Sequence, residues 1–236
     1  SANVQFTDWL SLNGRIGLDF YADSRFQSWK KGARGNDQRN GRMIESMGNH
    51  RELNADLILT ANKDLTSDFN LTASLGTSLW NRFYESRTWD AREAKIDEVY
   101  HISNYLDIRP SASQAENEIQ SVFLTAQLGY RNYLFLDITG RNDWSSTLGI
   151  NNQSFFYPSI STSFVFTDAF NMSQDILSFG KVRLSWAQVG ASAQPFLTTS
   201  GYAFSNESYN GQPYASKSSQ IPLFDLKNEL TTSWEV

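Results

Sequence analysis

Apolar and polar residues alternate with a period of two along most of this chain. From Trp9 to Ala22, one set reads Leu10, Leu12, Gly14, Ile16, Leu18, Phe20 and Ala22. The other reads Trp9, Ser11, Asn13, Arg15, Gly17, Asp19 and Tyr21. The pattern recurs with Leu53, Ala55, Leu57, Leu59 and Ala61, with Phe69, Leu71, Ala73, Leu75 and Leu79, and with Val122, Leu124, Ala126 and Leu128. It returns with Leu134, Leu136 and Ile138, with Ile160, Thr162, Phe164 and Phe166, and with Val182, Leu184 and Trp186. Successive residues of an extended strand point to opposite faces, so each stretch predicts a strand with one apolar face. No charge falls in the apolar sets of these segments, whereas the opposite sets mix both signs with Ser, Thr and Asn.

A soluble β-sandwich alternates in the same way. Two features point instead to a membrane barrel. Several segments run to about ten residues, the length a tilted strand needs to cross a bilayer, and sandwich strands are usually shorter. The connections also alternate in length: tight around Asp8, long over 25–49, short over 62–67, long over 83–118, short over 129–132, medium over 144–154, compact over 167–180 and long over 191–231. Antiparallel neighbours put every second connection at one end, which predicts short periplasmic turns and long extracellular loops. The predicted fold is all-β, an antiparallel transmembrane β-barrel. The compact connection at Asp168–Leu177 is expected to form a short helix capped by Asp168. Aromatic residues gather where segments end, among them Trp9, Phe20, Phe83, Tyr130, Tyr133 and Phe156, as interfacial girdles require.

Composition narrows the class further. The formal net charge is −5, which does not suit a nucleic-acid binder. There is no cysteine, hence no disulfide and no thiolate metal site. No apolar run approaches the ~20 residues of a membrane helix, a test to which barrel strands are blind. No signal peptide opens the chain, and it starts and stops inside strand-like segments, which reads as an internal piece of a longer polypeptide. The two histidines, His50 and His101, fall in or beside predicted loops with no Gly-x-Ser-x-Gly turn to accompany them, so no catalysis is expected. No cofactor or metal motif occurs; the oxygen-rich stretch 36–40 lacks EF-hand spacing. The charges of the polar sets, Arg15, Asp19, Glu52, Asp56, Asp137, Arg141, Lys181 and Arg183, are expected to pair with one another or with a plug rather than to act in transport.

Three stretches carry a resemblance. Arg141-Asn142-Asp143-Trp144-Ser145-Ser146-Thr147-Leu148, followed by Phe156-Tyr157-Pro158-Ser159, resembles a signature of the SusC/RagA family of TonB-dependent transporters. Leu177 to Gly190 is similar to a second family stretch, with Trp186 at its aromatic position and Ala191 where Asn is usual. Leu226 to Glu235 is similar to a third, with Asn228 in place of a Trp. The specific words lie in the second half; the first half matches by pattern, with 54–56 and 73–76 the best words.

The resemblance implies a barrel of about 22 strands, a size found among outer-membrane transporters. Residues 1–236 would be part of its barrel domain, with the plug domain and TonB box outside this chain. It implies active import of an oligosaccharide or peptide across the bacterial outer membrane. The implied partners are TonB, a SusD-like surface lipoprotein, and membrane lipid with lipopolysaccharide. A passive porin or a siderophore receptor without a lipoprotein lid is the alternative. Candidate cargo or partner contacts are the aromatics of the long loops: Trp89, Tyr202, Phe204, Tyr209 and Tyr214, with Trp29 a further one.

Overall fold

The computed structural model describes residues 1–35, 38–172 and 177–236, and of residues 206 and 207 the backbone alone. Nine strands form one antiparallel sheet in the order β1 (Ala2–Thr7), β2 (Leu10–Lys31), β3 (Asn40–Asp64), β4 (Phe69–Ala94), β5 (Tyr105–Tyr130), β6 (Leu134–Ser145), β7 (Ser154–Val165), β8 (Lys181–Ala191) and β11 (Glu229–Glu235). A separate hairpin, β9 (Tyr202–Tyr209) with β10 (Gln212–Lys217), interrupts the run between β8 and β11.

The register keeps the apolar and polar sets apart. One row across eight strands reads Leu10, Ala61, Ala73, Ala126, Ile138, Ile160, Trp186 and Trp234. The neighbouring row, one residue along, reads Ser11, Thr60, Ser74, Thr125, Thr139, Ser159, Ala187 and Ser233. A slip of a single residue would exchange the two, so burial of one face in an apolar medium fixes the pairing. The apolar face is uncovered: Ile16, Leu18, Leu57, Leu75, Leu124, Ile138 and Leu184 are all exposed. A patch that large is the mark of an interaction surface.

Aromatic residues bound this face. At the compact-turn end an unbroken chain of ring contacts runs Phe69–Tyr130 (4.8 Å), Tyr130–Tyr133 (5.5 Å), Tyr133–Phe164 (6.2 Å) and Phe164–Phe170 (5.9 Å). At the other end Phe20, Arg51 and Phe83 share a row, with the Arg51 guanidinium 5.2 Å from the Phe83 ring centre. Leu10 to Phe20 spans roughly 33 Å of strand at ~3.3 Å per residue. A tilt of about 40° reduces this to about 25 Å, the height of a barrel's apolar band.

Several expectations change. The stretches 25–49 and 83–118 are mostly strand, not loop. β2 pairs with β3 out to Lys31–Asn40, and β4 pairs with β5 out to Ala94–Tyr105. Among the described residues, what remains outside these strands is 32–35 with 38–39, and 95–104. Beyond the apolar band polar and apolar residues mix on both faces, so the alternation that betrays a strand fades while backbone pairing continues. The asymmetry between the two ends is real, but strand length carries more of it than loop length. Indeed the 166–180 connection is longer than the 146–153 turn opposite it. The helix in 166–180 is a single turn, Phe166–Ala169, starting two residues before Asp168 and without a side-chain cap. Residues 173–176 of the expected helix lie outside the described residues.

The tip of the extension has its own small core of Met43, Ala91, Ala94 and Tyr105, with Ile102 against it. The turn between β4 and β5 is tied down by Asn104, whose amide donates to the Ile96 and Val99 carbonyls at 2.8 Å each. Asp97 accepts from the Lys31 N–H at 2.7 Å, and Tyr100 packs edge-on against Phe26 at 6.3 Å.

Candidate functional site

The polar face carries the ion pairs and hydroxyl contacts between strands, and its rows differ in character. The hydroxyl row is uncharged; Thr60 and Ser74 lie 2.9 Å apart, Thr139 and Ser159 2.6 Å. One step nearer the compact turns, Asp137 accepts from Gln127 at 2.6 Å. On the other side, Arg141 donates to Asp143 at 2.7 Å and to the Ser121 hydroxyl at 2.8 Å, and lies 5.7 Å from the Phe123 ring centre. Tyr157 closes this network by donating to Asp143 at 2.7 Å. Phe123 lies flat across Gly76, where a Cβ would stand 2.2 Å from its ring. Arg141 and Asp143 of the Arg-Asn-Asp-Trp stretch thus knit the polar face together, while Asn142 and Trp144 alternate to the other face.

Nearer the far end, Arg15 and Asp56 pair at 2.7 Å. Then come Asp19 and Glu52, directly opposite each other, and a row of Tyr21, His50 and Tyr84. Higher still, Asp90 holds Arg42 (2.7 Å) and Arg92 (2.8 Å), and Arg42 also covers the Trp29 ring at 5.6 Å. Burial pushes the Asp90 carboxyl up, but hydrogen bonds and charge from the two guanidinium groups outweigh it and leave the pKa below the usual value.

The charges of the polar face therefore divide. Arg15 and Asp56 pair with each other as expected, Arg141 pairs with Asp143 from outside the expected set, and Asp137 is bound by the Gln127 amide rather than by a cation. Lys181 and Arg183 are exposed on β8. His50 is in a strand, not a loop, stacked on Tyr21 at 4.1 Å; His101 binds the Ser103 hydroxyl at 2.7 Å in the 95–104 turn.

The five candidate aromatics do not form one group. Trp89 is in β4, opposite Glu45 and Pro110, half-buried on the same face as Leu75 and Leu79. Tyr202, Phe204, Tyr209 and Tyr214 lie together on the β9–β10 hairpin, all exposed. That hairpin turns at Asn210-Gly211, both with positive φ (50° and 77°), the dipeptide that two-residue hairpin turns favour; the sequence carried that signal. The segment after it folds back onto the β6–β7 turn. Gly149 and Leu226 bond through their backbones at 3.2 Å, and the Asn152 amide donates to Asp225 at 2.7 Å. A Cβ at Gly149 would stand 2.4 Å from the Phe224 carbonyl. The segment just after the first resembling stretch therefore meets the start of the third, and the register joins all three stretches, Ser159 opposite Ala187 and Leu230 opposite Gly190. Phe155, beside the first, also sits where a Cβ on Gly190 of the second would fall, 2.6 Å away.

Among the described residues no group of His, Cys, Asp or Glu is placed to hold a metal, and no helix is long and apolar enough to cross a membrane. The oxygen-rich stretch at 36–40 lies partly outside the described residues.

No protein-family profile matches the chain, and no curated protein matches it in sequence. Its fold does match solved structures. The RagAB peptide transporter superposes with a TM-score of 0.84 at 18% identity, covering 98% of this chain and 26% of that one. The RagAB peptide importer in its closed-closed and open-open states gives TM-scores of 0.83 and 0.81 at the same identity and coverage. The chain shares the fold of these transporters and spans about a quarter of their length.

Proposed function

We propose that this chain is a wall segment of a TonB-dependent outer-membrane importer of the SusC/RagA kind. The observation that supports it best is the segregated sheet. An uncovered apolar face of about bilayer height is edged by aromatics, and backs a hydrogen-bonded polar face, on a fold shared with a peptide transporter. In this reading the apolar face meets lipid and the polar face lines the barrel interior, around a plug carried elsewhere in the polypeptide. The β2–β5 extension and the β9–β10 hairpin stand outside the cell, where a SusD-like lipoprotein would cap them. The protein performs no covalent chemistry. Cargo, an oligosaccharide or a peptide, binds between the outer parts and the plug, and TonB supplies the pull that admits it.

The test is uptake of labelled oligopeptides and oligosaccharides by cells carrying the full-length protein, with and without a functional TonB. TonB-dependent uptake of one class supports the proposal. Uptake of small solutes indifferent to TonB identifies a passive pore and overturns it.

A further inference from the structure

Asp19 and Glu52 face each other in register across β2 and β3 on the polar face. Like charges placed directly opposite destabilise a strand pair. Several other carboxylates of this face are matched by cations, Asp56 by Arg15, Asp90 by two arginines and Asp143 by Arg141, while Asp137 is held by the Gln127 amide. Glu52 accepts only a long bond from the Asn54 amide (3.4 Å), and no cation pairs with Asp19 among the described residues. Arg82 stands opposite Glu52 on β4 but makes no ion pair with it. Both carboxylates are open to solvent on the polar side, Asp19 the more so.

The next row supplies aromatic surface. Tyr21 stacks on His50 (4.1 Å, 11° between planes), and His50 contacts Tyr84 at 4.5 Å. These rings are on the polar face, where lipid contact does not explain them, and Tyr21 is 54% exposed. Asp23 reaches over Gly48 to the His50 Nε2 at 3.3 Å; a Cβ on Gly48 would stand 2.5 Å from that carboxylate. The His50 Nδ1 is buried and has no partner. On the other side Gly17 leaves open space, with nothing within 4 Å of where its Cβ would be.

We infer that Asp19, Glu52 and the Tyr21–His50–Tyr84 row form a subsite for a cationic group of the cargo, a lysine side chain or an amino terminus. A cation between the two carboxylates relieves their repulsion, and the ring faces beside it attract positive charge. The site rests on the proposed function only in that the polar face lines the interior; it sits just outside the apolar band, where incoming cargo arrives.

The experiment uses the full-length protein in detergent. The probes are a hexapeptide alternating Lys and Ala, its counterpart alternating Glu and Ala, and maltohexaose. Binding is measured for the parent, for Asp19→Asn with Glu52→Gln, and for Tyr21→Ala. Heat-modifiable migration reports that each barrel is folded. The double variant should bind the lysine peptide at least about tenfold more weakly, the loss expected when charged hydrogen bonds go, with the other two probes unchanged. Tyr21→Ala should weaken the same probe alone. Equal affinity of parent and double variant for the lysine peptide, or no binding of it by the parent, overturns the subsite. TonB-dependent uptake of neutral or acidic cargo would meanwhile leave the importer standing.

Discussion

Ser146 and Glu118 bond to each other twice. The Ser146 N–H donates to the Glu118 carbonyl and the Glu118 N–H to the Ser146 hydroxyl, each at 3.0 Å. This closes the β5–β6 pairing, whose last register pair is Ile119–Ser145. Above it β5 continues beside β4 alone, as far as Tyr105. Replacing Ser146 by Ala removes one of the two bonds and should lower barrel stability by about 0.5–1.5 kcal/mol. It should also raise hydrogen exchange at the Glu118 amide; unchanged exchange there would remove Ser146 from this role.

The apolar face predicts a sharp contrast between neighbours. Arg at Leu57, Leu71, Leu124, Leu136 or Leu184 near the bilayer midplane should cost about 2–4 kcal/mol in a folding assay in lipid. Arg at Ser74, Thr125 or Thr139 should be far milder. Leu124 and Thr125 make the best comparison, since they are adjacent in sequence and face opposite ways. Similar costs at both would refute the assignment of faces.

Topology can be read with single cysteines, because the chain has none. A thiol at Ala112, on the β5 extension, should react with an impermeant reagent on intact cells. One at Asn132, in the turn after Tyr130, should not. The reverse result would invert the orientation.

Gly76 should tolerate no larger residue, since its missing Cβ is the space Phe123 occupies. Gly76→Val must displace that ring from beneath Arg141. The expected result is a loss of order 1–3 kcal/mol, as for other overpacking, with a second substitution, Phe123→Ala, recovering part of it. Absence of any recovery would disconnect the two positions.

Asp90 sets an acid limit for the extension. Its pKa is lowered in the folded protein, so its stabilising contribution is present above the ordinary carboxylate pKa and fades as pH falls through the lower folded value. Protease resistance of the β3–β4 tip should therefore persist at mildly acidic pH and fail only in strong acid. Asp90→Asn should weaken it at neutral pH too. Equal resistance in both proteins would show that the Arg42–Asp90–Arg92 group holds nothing there.

Where one face is apolar, the sequence was enough to place strands and their two faces. Leu10, Leu12, Ile16 and Leu18 pair with the very set of β3 that the period picks out. Where polar and apolar residues mix on both faces the period vanishes, and residues 40–50 look like loop although they pair without a break. The candidate residues show the same limit. Trp89 is a strand residue because pairing, not composition, decides it, whereas the hairpin bearing Tyr202 and Tyr214 lies in a stretch read as loop, although Asn210-Gly211 carries a turn signal there. The row of Tyr21, His50 and Tyr84 joins residues from three strands, far apart in sequence, and only the register reveals it.

The uninterrupted pairing of β3 with β4, from Asp64–Asn70 to Arg42–Arg92, has a mechanical consequence. A plank cross-linked rung by rung along its whole length bends poorly in its own plane and has no joint between the apolar band and the tip. The outer part of these strands must move with the wall or not at all. Any swinging element has to pivot somewhere other than along these paired strands.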